Sequence, residues 1–139
     1  MASLHNKYSN KNGRGNEVGF TVLAFPSNDF HQEKDTNEEI LEYIATNFPQ
    51  VTFPLFARSE TLMSNMVFQL CQQQTNSKVE WNFHKFLVNG RGQAVKSYGH
   101  RVSPMDIEED IVRLMEEERE IRDHDKMNED IGLQVPQTF

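Results

Sequence analysis

Trp81-Asn82-Phe83-His84-Lys85-Phe86-Leu87-Val88 reads as a buried strand that opens on an indole and a carboxamide. Its aromatic and aliphatic residues suit a pleated, covered surface. Asn89-Gly90-Arg91-Gly92 follows, a turn signal of asparagine and glycine. Gln93-Ala94-Val95-Lys96-Ser97-Tyr98 then completes a hairpin. Gly90-Arg91-Gly92 is a turn rather than a phosphate loop, because no strand-to-helix context surrounds it.

Outward from the hairpin, helices flank the strands. Ser103-Pro104 has the form of an N-cap and first helical residue, and Ile107, Ile111, Leu114 and Met115 supply an apolar face. Asp106, Glu108, Glu109 and Asp110 sit where the helix dipole favours anions. The charged run from Glu116 to Asp125 reads as a solvated extension of that helix. Upstream, Leu62, Met63, Met66, Val67, Leu70 and Cys71 share one helical face, which places Cys71 among core residues. Thr36-Asn37-Glu38-Glu39 is a capping box, and Ile40, Leu41, Ile44 and Phe48 recur at helical spacing. A helix from Asn37 to Asn47, ended by Pro49, is expected. Val51 to Phe56 is a short extended segment, confined by Pro54 to an edge or irregular role. Gly19 to Phe25 is an apolar run without alternation, as in a strand covered on both faces. Residues 1–18 are polar and read as a disordered tail.

The 139 residues make one domain's worth of sequence, with 37% hydrophobic and 25% charged residues, ordinary for a globular protein. The net charge of -7 argues against a general nucleic-acid binder, since phosphate contacts need clustered Lys and Arg. No apolar run approaches the roughly 20 residues that span a bilayer, and Met1 to Tyr8 lack an apolar signal core. A cytoplasmic protein is the expectation. One cysteine, Cys71, rules out a disulfide framework or two-cysteine relay within the chain. The five histidines form no metal-binding pattern.

Two motifs together carry a family resemblance. The Trp81–Val88 stretch resembles the WNFxKFLV signature of the glutathione peroxidase family. Phe25-Pro26-Ser27-Asn28-Asp29-Phe30-His31-Gln32-Glu33 resembles that family's FPxNQFxxQE turn. The resemblance runs from about Phe20 to Met115 and implies an α/β, thioredoxin-like fold, a mixed sheet flanked by helices. It implies residues 1-18 as a polar N-terminal segment, 19-116 as the peroxidase-like domain and 117-139 as a charged extension, and against the tail reading Leu4 to Ser9 resembles the end of the helix that precedes the family's next strand. It further implies that Gln32, Trp81 and Asn82 face a redox sulfur or selenium. An indole N–H and two carboxamides can stabilise charge there without titrating themselves. No cofactor is expected. The substrates would be hydrogen peroxide or organic hydroperoxides, with glutathione or thioredoxin as thiol donor.

The chain departs from the family in three places. The family turn usually carries Asn-Gln-Phe-Gly, where this sequence has Asn28-Asp29-Phe30-His31. Ser27 stands where many relatives have a cysteine. The family's redox cysteine or selenocysteine, with the strand that precedes it, has no counterpart here, so the fold is expected to be truncated at its N-terminus. That strand would lie between Phe20–Phe25 and Trp81–Val88, which should then pair directly or leave backbone groups unpaired, at about 1–3 kcal/mol for each buried one. Cys71, on an apolar helical face, is expected to be inert rather than a substitute nucleophile. Lys96 and Arg101 are candidates for holding an anionic thiol, against an ordinary role as surface charges. The short stretch between Phe56 and Trp81 resembles the compact, monomeric branch whose open site admits lipid hydroperoxides. Two functions therefore stand side by side: a thiol-dependent peroxidase that lacks its nucleophile, and a non-catalytic binding or regulatory protein on the same fold.

Overall fold

Leu4 and Ile111 lose all or nearly all of their solvent exposure, and the core is built around them. The computed structural model describes residues 1–9, 18–59 and 62–130. Within these, helix α1 (Ala2–Tyr8), α2 (Asn37–Asn47) and α3 (Met66–Thr75) precede a hairpin of β1 (Lys85–Val88) and β2 (Ala94–Tyr98), and α4 (Glu108–Asp130) closes the order. Single 3-10 turns at Leu62–Ser64 and Pro104–Ile107 lead into α3 and α4. This is the α/β class expected from the sequence.

Successive side chains of a strand point to opposite faces, and β1 uses both. Leu87 joins Leu4, Tyr98, Ile107 and Ile111 on the side of α1 and α4. Phe86 turns the other way, its ring 6.0 Å from that of Phe68 on α3. The hairpin is thus covered on both faces. Its register sets Lys85 opposite Tyr98, Phe86 opposite Ser97 and Leu87 opposite Lys96, then slips so that Val88 faces Ala94. Val95 is the extra residue of that bulge, and it is half exposed.

Several local signals hold. The capping box at Thr36 is made in both directions, with the Glu39 amide on the Thr36 hydroxyl and the Thr36 amide on the Glu39 carboxylate. Ser103 and Asp106 form a second one at the turn before α4. The charged run after Met115 is helical as far as Asp130. Val51 to Phe56 is irregular, as Pro54 requires, and Leu55 makes a single parallel bridge to Ala24.

Other expectations are corrected. Residues 2–8 are a helix whose Leu4 anchors the core, so over this part the tail reading gives way to the helix reading, while residues 10–17 lie outside the described residues. The strand expected from Trp81 begins only at Lys85, because Phe83 takes a left-handed backbone (φ 60°) that breaks extended pairing. Gly19 to Phe25 forms no continuous strand; among the described residues its one β-bridge is at Ala24, with Ala24 N–H donating to Pro54 O (3.1 Å) and Phe56 N–H to Ala24 O (2.9 Å). Among the described residues β1 pairs with β2 alone, so Phe20–Phe25 does not pair directly with it. Ring contacts join the two instead, Phe25 to Phe68 at 5.5 Å and Phe68 to Phe86 at 6.0 Å. On α3, Cys71 is buried as expected, yet Met66, Val67 and Leu70 are exposed. Helical spacing identifies an apolar face, but only a partner element decides whether it is covered.

Polar contacts lock α4 to its neighbours. Asp110 accepts from Lys96 Nζ (2.6 Å), Tyr98 OH (2.7 Å) and Arg113 (2.5 Å). Glu108 accepts from Lys7 Nζ (2.7 Å) and Tyr8 OH (2.6 Å), tying α4 to α1. The Lys96 hydrogen bond, then that of Tyr98, holds the Asp110 carboxyl below its usual range. The Lys7 and Tyr8 bonds do the same for Glu108. Burial, then the bond to Asp110, pushes the Tyr98 phenol up.

Two outcomes follow. Replacing Leu4 with Ala should cost about 2–5 kcal/mol in urea unfolding, as for other fully buried leucines. Both carboxylates have depressed values in the folded state, so their contribution is present above the ordinary carboxylate range and is lost as pH falls through those values. Unfolding followed across the acid range should show Asp110→Asn with a flatter loss of stability than the parent chain.

Candidate active site

Two turns, far apart in sequence, build the site. The first follows Pro26. Asn28 N–H donates to Ser59 O (3.4 Å), the Ser27 hydroxyl donates to the Asp29 carboxylate, and His31 N–H donates to Asn28 O (3.0 Å). His31 is left-handed (φ 55°), a conformation that glycine adopts freely and a Cβ disfavours. A residue that carries a Cβ thus stands in a conformation that glycine adopts more freely. The reversal delivers Phe30 and Gln32 toward the second turn.

The second turn is Trp81–Phe83, immediately before β1. Phe83 is also left-handed (φ 60°), and its side chain is largely solvent-exposed. Lys85 holds it, its ammonium donating to Phe83 O and, at 3.4 Å, to Gly99 O. Burial pulls the Lys85 ammonium below its ordinary value. His84 reaches Ser97 Oγ at 2.8 Å, and burial, then the neighbouring Lys85 charge, lowers its basicity. Ser97 in turn meets Ser77 Oγ (2.9 Å), which meets Thr75 Oγ (2.7 Å) at the end of α3. The turn is therefore tied to both α3 and β2.

Between the turns, Asn82 Nδ2 donates to Gln32 Oε1, and the Phe30 and Trp81 rings pack with centroids 5.1 Å apart. Gln32 is exposed, Trp81 is 43% exposed and Asn82 is half-buried, so the group lies open to solvent. Among the described residues the Gln32 amide N–H groups and the Trp81 indole N–H have no hydrogen-bond partner. The arrangement can therefore offer several N–H donors to one incoming acceptor.

Cys71 lies elsewhere. It is buried in α3, and desolvation raises its thiol above the ordinary value. Lys96, a candidate for anion binding, is committed to Asp110. Sequence reasoning missed the part played by Lys85 and by the Ser97–Ser77–Thr75 hydroxyls. A lysine inside a stretch otherwise read as buried strand was the available signal, since such a cation needs carbonyls or carboxylates around it.

The family model for glutathione peroxidase matches residues 2–96. The chain belongs to the glutathione peroxidase family. It is 36% identical over 124 residues to a probable phospholipid hydroperoxide glutathione peroxidase of Citrus sinensis, covering 84% of this chain and 69% of that protein. Against glutathione peroxidase 1 of Helianthus annuus the identity is 38% over 106 residues, covering 71% of this chain and 63% of that protein. A glutathione peroxidase-like peroxiredoxin of Schizosaccharomyces pombe is 34% identical over 122 residues, 83% of this chain and 72% of its own length. The chain thus spans roughly two thirds of these relatives' length. Its helices and small sheet are consistent with the family's thioredoxin-like fold.

His31 gives this subsection its test. If the left-handed turn is intrinsic to the site, His31→Gly should raise unfolding stability by about 1 kcal/mol, the cost of a Cβ there. His31→Val should lower it, measured by the same denaturant titration.

Proposed function

We propose that this chain is a glutathione-peroxidase-like protein of oxidative-stress defence that retains the charge-stabilising donors Gln32, Trp81 and Asn82 but lacks the peroxidatic nucleophile. The observation that carries the reading is the hydrogen bond from Asn82 to Gln32, two carboxamides 50 residues apart in sequence. With the Trp81 indole beside Phe30, it leaves unpartnered N–H groups for a developing negative charge at a peroxide oxygen or a chalcogenolate. Hydrogen peroxide or organic hydroperoxides are the substrates of this reading, and glutathione or thioredoxin the thiol donors. It places the protein in the cytoplasm as a monomer. The lone buried thiol fits a reducing compartment. Among the described residues no helix is long and apolar enough to cross a membrane.

Reduction of a peroxide begins with attack by a thiolate or selenolate on the O–O bond. Cys71 is buried in α3, where desolvation raises its thiol above the ordinary value and disfavours the thiolate. The mutual bonding of Gln32 and Asn82 also favours the second reading, a non-catalytic binding or regulatory protein, because carboxamides already joined to each other satisfy part of their capacity without a chalcogen.

The 139-residue chain, incubated with hydrogen peroxide or a lipid hydroperoxide and either thiol donor, should show no turnover above the thiol-only background. Cys71→Ser should behave identically. Turnover that disappears in Cys71→Ser would make Cys71 the nucleophile and overturn the assignment.

A further inference from the structure

The hairpin turn Asn89-Gly90-Arg91-Gly92 contains two glycines in different surroundings. Gly92 has φ 80°, which a Cβ disfavours. Gly90 does not; the carboxylate end of the Glu118 side chain of α4 lies against it, a flexible group that a Cβ would displace. A Cβ on Gly90 would sit 2.6 Å from Glu118 Oε2. Gly90 N–H donates to Glu118 Oε1 at 3.1 Å. The preceding side chain is held as closely. Asn89 Oδ1 accepts from Arg91 N–H (3.1 Å) and Gln93 N–H (2.9 Å), while Asn89 Nδ2 donates to Gln93 Oε1 (3.0 Å).

We propose that Asn89–Gly90 is a self-modification site, at which the Asn89 carboxamide cyclises onto the Gly90 backbone nitrogen with Glu118 as the base. Two of these sets of contacts correspond to needs of that reaction, a base at the attacking nitrogen and donors at the carbonyl oxygen. The Glu118 carboxylate takes the proton from Gly90 N as the nitrogen attacks Asn89 Cγ. Negative charge then develops on Oδ1, where two backbone N–H groups already point, as in an oxyanion hole. The new N–Cγ bond forms, the Cγ–Nδ2 bond breaks, and the proton held by Glu118 passes to the departing nitrogen, which leaves as ammonia. Water opens the resulting succinimide to aspartate or isoaspartate. No electron is gained or lost, and water is the only co-reactant. Glycine at position 90 also leaves the attacking nitrogen unhindered.

The product acts on the fold. A second carboxylate at position 89 stands beside Glu118, and the isoaspartyl form adds a backbone atom to the tight turn. Like charges and altered geometry there weaken the contact between the hairpin tip and α4. The site is separate from Gln32, Trp81 and Asn82, so its test is independent of the peroxidase reading.

The full chain is incubated at neutral pH in native buffer and, in parallel, unfolded in urea, and the Asn89 peptide is followed by mass spectrometry for loss of ammonia and for deamidation. The native chain should convert faster than the unfolded one, and native Glu118→Gln should convert slower than native parent by about 100-fold or more, the usual contribution of a placed general base. A native rate equal to or below the unfolded rate, or a Glu118→Gln rate equal to or above the parent's, would overturn the proposal and make Glu118 a guard of the turn instead.

Discussion

The packing of Leu4 against Leu87, Tyr98, Ile107 and Ile111 is the contact on which the rest of the described structure depends. It joins the N-terminal helix, the hairpin and the C-terminal helix in one small core. Because β1 alternates, the same strand that seats Leu87 there presents Phe86 to Phe68 of α3. The strand thereby fixes the position of α3 and, through the Phe25–Phe68 contact, of the segment that leads into the Gln32 turn. Hydrogen bonds from Lys7 and Tyr8 to Glu108, and from Lys96 and Tyr98 to Asp110, keep the two long-range helix contacts in register. Charge-assisted bonds of this kind add geometry more than net stability where they are exposed.

The candidate site sits at the edge of that framework rather than inside it. Neither of its turns belongs to a strand or a helix, and each contains a non-glycine residue at positive φ, His31 in one and Phe83 in the other. Such residues persist where their surroundings over-determine them. Here the surroundings are identifiable: the Asn28–Ser59 and His31–Asn28 backbone bonds on one side, and Lys85 on the Phe83 carbonyl on the other. Lys85 belongs to β1, so the strand that carries the core also holds the turn that presents Trp81 and Asn82. Stability and site geometry are coupled through this one element.

Much of the fold was legible in local sequence because its causes are local. The Thr36 and Ser103 capping boxes depend on residues three apart, and both form. The Asn-Gly turn specifies a hairpin by short-range geometry, and the hairpin is present. Pro54 forbids a ladder hydrogen bond at its own nitrogen, and the segment around it is irregular. The two motifs that marked Gln32, Trp81 and Asn82 were readable as spellings, without any knowledge of how the turns meet.

What tertiary structure decided is whatever depends on a distant partner. The polar composition of residues 1–18 concealed that Leu4 would be fully buried, since an apolar residue in a largely polar helix acquires meaning only when α4 and β1 close over it. The apolar spacing on α3 named a face, yet of that helix only Cys71 is buried, and Phe68, whose ring meets Phe86 of β1, is half-buried. The start of β1 moved from Trp81 to Lys85 because Phe83 turns left-handed there, and Lys85 holds its carbonyl. The Asn82–Gln32 bond spans 50 residues, and the Gly90–Glu118 bond spans 28. Sequence supplied the chemistry of each group, and only the folded chain determined which groups meet.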